Sequence, residues 1–394
     1  MKPDVNTSCK ATDHSAEKSP VKTGISRRKA IRNVVAGATA LTMSPFALSS
    51  FASARGRDSQ NRIKLALVGG AHIHAPNFAD RMADADHVDT KYVWDPSRET
   101  AEARQSVTGG EIVNSPDVIY QDPDVDGIVI CSQTNLHSDL VPAAARADKH
   151  LFVEKPVGMN GNEAEHIAEA VNRAGVIFQT GYFMRSSGVN QKIKSLVSGG
   201  ELGDITRLRL SNVHSGAIGG WFDEEWNWMT DLDQAGVGGF GDLGPHVMDL
   251  LLWFMEHDTP VSCTGHIDRV LERYPGSDEY GEGMVRFDSG AVATIAGGWV
   301  DHANPNQVEI SGTKGHLRVT NNELFLRIPD RDISPSEPWT DLPEDHNHPL
   351  DLFFDAVAGR QDLPLISADE AALTNRVITE IYNGHKTSSW INLQ

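Results

Sequence analysis

Short apolar stretches alternating with helix-like ones dominate the first half of this chain, beginning with Leu65-Ala66-Leu67-Val68. The pattern predicts strand 63–68 with helix 75–84, strand 89–94 with helix 97–106, and strand 125–131 with helix 137–147. Strand 150–153 with helix 161–174 follows, and strand 176–179 closes the run. Parallel strands need a crossover long enough for a helix, and such helices cover the sheet on both faces. The pattern therefore demands a doubly wound, Rossmann-type α/β domain over 62–184.

After Arg185 the texture changes. A helix at 189–198, a strand at 204–214, a Trp- and Gly-rich segment at 216–241 and a helix at 244–256 lead into longer strands. Strands 260–271, 280–288, 290–299, 306–312 and 315–320 alternate polar and apolar residues, with turns such as Asp288-Ser289-Gly290 and Thr313-Lys314-Gly315 between them. That alternation predicts a largely antiparallel open sheet with helices on one face. Helices 349–358 and 367–384 complete an α+β domain over 185–394.

Residues 1–54 read differently. Ser26-Arg27-Arg28-Lys29-Ala30 precedes a mildly apolar run that ends in Ala52-Ser53-Ala54, the layout of an export signal of the twin-arginine type. This predicts a periplasmic protein carried across the membrane already folded. The bland alternative is a basic amphipathic terminus. No uninterrupted apolar stretch of about 18 residues occurs, so no membrane span is expected after signal removal. Without residues 1–54, which hold eight Lys/Arg and three Asp/Glu, the formal charge is −24, from 27 basic and 51 acidic residues. Such a surface repels phosphate backbones and disfavours nucleic acid as a partner. Of three cysteines, Cys9 leaves with the signal, and neither Cys131 nor Cys263 has an obvious mate.

The first strand runs into Gly69-Gly70-Ala71-His72-Ile73-His74. Read as G-x-G-x-x-G, the first glycine is present, the second is Ala71 and the third is His74. A phosphate can still rest on the amides at the following helix start. Asp95, at the end of the second strand, suits the adenosine ribose hydroxyls and so NAD, while Arg98 nearby keeps NADP open. The same turn could equally bind nothing. His72 and His74 form a His-x-His pair, but no third ligand has convincing spacing, so no metal is expected.

At the carboxyl edge of the predicted sheet stand Thr134, Asn135 and His137, then Glu154-Lys155-Pro156. Either group caps the next helix or meets a ligand in the cleft. Thr134-Asn135-x-His137, Glu154-Lys155-Pro156 seventeen residues after that histidine, and Gln179-Thr180-Gly181-Tyr182-x-x-Arg185 together resemble the Gfo/Idh/MocA family. The likeness continues through Gly238-Gly239-x-x-Asp242-x-Gly244-x-His246-x-x-Asp249-x-x-x-Trp253 to Gly312-Thr313-Lys314-Gly315. The opening turn departs from the pattern.

The resemblance implies that Lys155, Asp242 and His246 meet the substrate, that NAD (or NADP) is the cofactor, and that the chain forms a homodimer or homotetramer. The residue types suit hydride transfer from a secondary alcohol of a sugar, sugar acid or cyclitol. His246 would take the hydroxyl proton. Asp242, one helical turn earlier, would bind a neighbouring hydroxyl or orient the imidazole. Lys155 would steady charge on the reacting oxygen. A helix-capping pair is the plainer reading of Asp242 and His246. Gly69, Gly70, Ala71, His72, His74, Asp95, Thr134, Asn135, His137, Glu154 and Lys155 itself are expected on the cofactor side. Tyr182, Arg185, Trp221, Trp226 and Trp228 are expected on the substrate side, where indole faces stack on sugars, unless they serve packing. Two rival functions remain: a glycosidase that uses tightly bound NAD transiently, and a non-catalytic sugar- or partner-binding protein.

Overall fold

The computed structural model describes residues 62–394; the expected export signal, with Cys9, lies outside them. The first domain runs β1 (Ile63–Val68), α1 (Ala75–Asp84), β2 (Val88–Trp94), α2 (Arg98–Thr108), β3 (Glu111–Ile112) and α3 (Asp117–Gln121). It continues through β4 (Gly127–Ile130), α4 (His137–Arg146), β5 (His150–Val153), α5 (Gly161–Ala174) and β6 (Phe178–Thr180). The six strands form one sheet in the order β3-β2-β1-β4-β5-β6, parallel throughout. Leu65, Leu67, Ile128, Ile130, Leu151 and Phe152 are fully buried, as a sheet covered on both faces requires. Ser97 and Asn160 cap the starts of α2 and α5, each accepting from an amide three residues on.

The second domain begins with α6 (Gly188–Ser198), β7 (Ile205–Val213), α7 (Gly216–Gly219), α8 (Leu232–Ala235) and α9 (Gly239–Phe254). Then come β8 (Pro260–Asp268), β9 (Tyr280–Phe287), β10 (Val292–Gly298), β11 (Asn306–Gly312), β12 (His316–Thr320) and β13 (Glu323–Arg327). α10 (Pro349–Val357), α11 (Ala368–Thr387) and β14 (Ile391–Asn392) close it. The strands line up as β13-β12-β11-β7-β10-β9-β8-β14. Every neighbouring pair is antiparallel except β7 with β10. Leu250, Leu251, Val377 and Ile381 from α9 and α11 pack on Leu208, Val285 and Ile295 of the sheet. Burial alternates along β9, so the opposite face stays open.

Three features differ from expectation. β3, α3, β13 and β14 are too short or too polar to show a period. α9 begins at Gly239 rather than 244, with Pro245 inside it. The reason is a distant cap: Asp278 accepts from the amides of Gly238 (3.1 Å) and Phe240 (2.7 Å). Those donors would otherwise be orphaned at a helix start, and satisfying them adds a turn that carries Asp242. Finally, the division expected near 184 is crossed. Leu350, Phe353 and Phe354 of α10 pack against Leu65, Leu67, Phe78 and Phe152 of the first domain. α11 lies along α5 so closely that a Cβ at Gly161 would meet the Arg376 backbone at 2.8 Å. No helix among the described residues is long and apolar enough to cross a membrane.

Candidate active site

β1 hands over to the first turn at Gly69. Its φ of +82° and its surroundings both exclude a side chain, since a Cβ would meet Ser132 at 2.5 Å. The Gly70 and Ser97 amides donate to the two oxygens of Asp95, each at 2.7 Å. Asp95 thus ties the end of β2 to the turn and keeps a spare lone pair on each oxygen. Burial pushes its carboxyl above the ordinary value, against the pull of those amides and Arg104. Arg98 is spent on Glu102 at 2.8 Å, on the surface.

His72 is buried and His74 about a third exposed, their rings 4.7 Å apart. The His74 amide donates to His72 Nδ1 at 3.2 Å, which places the ring proton of neutral His72 on Nε2. Burial lowers His72 to about 3. His72, Cys131 and Glu154 bring potential ligand atoms within 4.8 Å of one another. A metal-bound imidazole needs one bare nitrogen and normally donates from the other. His72 has one nitrogen accepting and the other protonated, so it has no lone pair to give. The His74 ring turns back toward the end of β5, with Nδ1 3.2 Å from Glu154 Oε1. Burial would raise the Glu154 carboxyl, but the His74 and His72 rings and Lys155 hold it well below the usual range.

Lys155 follows β5, and its peptide bond to Pro156 is cis. The ammonium is buried and lies 2.5 Å from Asp242 Oδ1 and 3.3 Å from the Asp242 carbonyl. Asp242 Oδ2 accepts from the Trp299 indole at 2.9 Å. Burial would raise this carboxyl too; the Lys155 charge and the two hydrogen bonds hold it well below the carboxylate range. An ammonium has three N–H groups, so one remains for the cleft. His246, one turn further along α9, is buried with its ring 6.0 Å from Tyr182 and 5.1 Å from Phe183. Its Nδ1 has no partner among the described residues. Burial, then Lys155, keeps it far below neutrality and uncharged.

Several expected roles change. Asp242 does not orient His246; its oxygens are taken by Lys155 and Trp299. Arg185, expected as a substrate contact, grips Asp249 through two bonds of 2.9 and 2.6 Å and Glu370 through a third of 2.7 Å. It ties β6, α9 and α11 together. Tyr182 is wholly buried with its hydroxyl unpartnered. The three tryptophans part company. Trp221 is half-exposed against the His214 ring at 4.8 Å. Trp228 donates to the Ala71 carbonyl at 3.0 Å, and Trp226 packs in the same cluster as Ala71 and Ile73. His137 is buried with Nδ1 3.3 Å from the Val157 carbonyl, under the loop that follows Lys155. Thr134 is buried and Asn135 half-buried in the turn before it. Cys131 and Cys263 are both buried and free.

Unpartnered polar atoms gather where the strands of the first sheet end: Gln133 Oε1, Asn135 Oδ1, Glu154 Oε2, Tyr182 OH and His246 Nδ1. Buried polar atoms go unpaired only where something else satisfies them. A dinucleotide's ribose hydroxyls and carboxamide supply that chemistry, the bare Gly69 turn admits its phosphates, and Asp95 has acceptors to spare. The residues fit a nicotinamide dinucleotide. Sequence reasoning did not find Trp299, Asp278 or the Arg104–Glu225 pair (3.0 Å), because each acts on a residue distant in the chain.

Comparison with known proteins places these features. Residues 63–182 match the family model described as the oxidoreductase family, NAD-binding Rossmann fold. Residues 190–318 match the GFO/IDH/MocA C-terminal domain. Myo-inositol 2-dehydrogenase of Thermotoga maritima is 29% identical over 212 residues, 52% of this chain and 60% of that protein. The match therefore spans about three fifths of that relative's length. D-glucoside 3-dehydrogenase of Escherichia coli is 18% identical over 357 residues, 84% of this chain and 97% of that protein. Among solved structures, a levoglucosan dehydrogenase in complex with NADH and levoglucosan superposes with a TM-score of 0.68 at 20% identity, covering 84% of this chain and 99% of that one. At that identity the likeness speaks for the fold alone. With both halves of one family's architecture matched in order, the chain belongs to the Gfo/Idh/MocA family of oxidoreductases.

Proposed function

We propose that this protein transfers hydride between a secondary alcohol of a sugar or cyclitol and a nicotinamide cofactor. The observation that carries the reading is the buried Lys155–Asp242 pair, with one N–H to spare, beside a row of unpartnered polar atoms. When bound, the cofactor supplies a hydride acceptor or donor at nicotinamide C4. Lys155 hydrogen-bonds the reacting oxygen and steadies its developing charge in a dry site. Asp242 holds the ammonium in place, and Trp299 holds Asp242. His246, neutral and with an Nδ1 that has no partner among the described residues, is placed to hydrogen-bond a substrate hydroxyl. Asp95 takes the adenosine ribose and disfavours a 2′-phosphate, and the pairing of Arg98 with Glu102 supports NAD over NADP. The printed names of the relatives, an inositol and a glucoside dehydrogenase, support the substrate class. Export by the twin-arginine route is part of the proposal. The test is to purify the protein, extract nicotinamide, and follow absorbance at 340 nm with myo-inositol, levoglucosan and methyl β-D-glucopyranoside. A chain with neither bound nicotinamide nor affinity for NAD refutes the reading.

One observation favours a second reading. Trp228 on Ala71, Trp226 packed on the same apolar cluster as Ala71 and Ile73, and Glu225 on Arg104 lay a second-domain segment across the dinucleotide turn. A cofactor behind such a closure would be reused in place. The sugar would be oxidised, lose its glycosidic substituent, take up water and be reduced again. Substrate consumption with no change in nicotinamide redox state supports this version; accumulation of NADH excludes it.

A further inference from the structure

The resemblance implies proton transfer to His246, but that ring is poorly equipped for it. Among the described residues no carboxylate hydrogen-bonds it and its Nδ1 has no partner, and Tyr182 and Phe183 crowd it. His74 is the opposite case. Its Nδ1 lies 3.2 Å from Glu154, a wholly buried carboxylate adjacent to Lys155, and about a third of its side chain is open. An ionised carboxylate on Nδ1 fixes the proton there, leaves Nε2 with a bare lone pair, and stabilises the imidazolium that forms when Nε2 takes a second proton.

We infer that His74, backed by Glu154, is a further acid–base group of this site and receives the proton released when the substrate alcohol is oxidised. The inference rests on the hydride-transfer reading, with the nicotinamide as oxidant. As hydride departs from carbon, the O–H bond breaks. Its electron pair becomes the second bond of the carbonyl, and the proton passes to His74 Nε2. Glu154 touches neither substrate proton nor reacting carbon; it is a positioning residue acting through His74. Its second oxygen, Oε2, is buried and unpartnered.

The surroundings suit the task. The titratable groups facing His74 are Glu154 and Lys155 after β5, His72 on its own turn, His246 on α9 and His348 at the start of α10. Burial keeps His72 and His348 neutral, at about 3 and about 4. A cation formed on His74 therefore meets one adjacent anion and a single fixed positive charge, that of Lys155, itself paired with Asp242. This also gives the departure at the dinucleotide turn a purpose. The third motif position normally carries glycine for helix–strand packing. Here the N-terminal end of α1 gives up that packing advantage and gains an imidazole directed at the end of β5.

The test uses the full chain as wild type, His74→Gln, Glu154→Gln and His246→Gln. Three quantities are measured: nicotinamide per chain, the ¹⁵N spectrum of the histidine rings, and turnover of myo-inositol, levoglucosan and methyl β-D-glucopyranoside against pH. His74→Gln is expected to keep its nicotinamide and lose about 10²–10³-fold in kcat. Glu154→Gln loses less in kcat, because the imidazolium has lost its stabilising anion. One ring Nδ1–H signal of the wild type disappears in both variants. In His246→Gln that signal stays. Unchanged kcat in His74→Gln, or a ring signal indifferent to Glu154→Gln, overturns the inference. So does loss of nicotinamide from His74→Gln alone, which would make the ring a cofactor contact. Failure of the underlying reading is distinguishable: the wild type itself then carries no nicotinamide and turns over none of the three sugars, and the inference falls with it.

Discussion

Lys155 and Arg185 each follow a strand of the first sheet, and each reaches α9 to meet an aspartate, Asp242 or Asp249 two helical turns apart. Both pairs are buried and both bridge the two domains, but they differ in what is left over. Arg185 sets a planar fork on Asp249 and a third bond on Glu370. Lys155 is a compact point charge with two short contacts, both to Asp242, and one hydrogen unspent. Around Arg185 the charged partners are satisfied. Around Lys155 the nearby polar atoms of Glu154 and His246 are not. A satisfied buried pair is scaffold; a pair with a spare donor facing unpaired acceptors is machinery.

That contrast breaks most decisively at Lys155. Lys155→Met should lower the rate of hydride transfer about 10³-fold with nicotinamide content retained, since it removes the donor to the reacting oxygen. A variant with near-normal turnover would return the pair to scaffold. Arg185→Met should act the other way. It leaves Asp249, whose carboxyl burial already pushes up to about 6, without its guanidinium, so that it must bury an unpaired charge or take up a proton; the cost is about 3–5 kcal/mol in urea unfolding, while the folded fraction turns over almost normally. The double change Arg185→Met with Asp249→Leu should restore much of that stability.

Smaller effects sharpen the same line. Trp299→Phe strips Asp242 of one donor. A hydrogen bond to a charged group is worth about 1.5 kcal/mol to the folded state, so urea unfolding should show a loss of at least that size, and kcat/KM should fall as Asp242 holds Lys155 less firmly. His137 gives the pH test. Burial lowers it to about 4 from 6.5, so the unfolded chain takes up a proton below about 6.5 that the folded chain refuses until about 4. Stability should therefore fall as pH drops through that window, by about 1.4 kcal/mol per unit for this group. In His137→Gln the slope of unfolding free energy against pH should be shallower by that amount.

The sequence makes legible whatever depends on neighbours in the chain. The strand–helix alternation from Ile63 to Thr180 is written as a local period, and its boundaries hold to within a few residues. Lys155, Asp242 and His246 stand out because their motifs are compact, and the structure brings all three together. What failed depends on distant partners. Nothing near Arg185 announces Asp249 or Glu370, 64 and 185 residues away. The start of α9 needs Asp278, 38 residues beyond Phe240. Trp228 was read as a sugar platform because its hydrogen bond to Ala71 spans 157 residues. The parallel pairing of β7 with β10 is equally invisible, since alternation reports which face is buried and says nothing of strand direction.

The packing of α10 under the first sheet has a bearing on how the chain is made. Phe353 and Phe354 supply part of the wall against which Leu65, Leu67 and Phe152 are buried. A ribosome extends a chain at about 5–20 residues per second. The first strand of that wall therefore emerges tens of seconds before its cover does. Until α10 arrives, the nascent Rossmann half exposes an apolar face, which is the kind of surface that chaperones shield. A truncation ending near residue 340 should then behave as an aggregation-prone half-domain rather than as a stable nucleotide-binding module. The core of the first half is thus completed by one of the last helices to be synthesised.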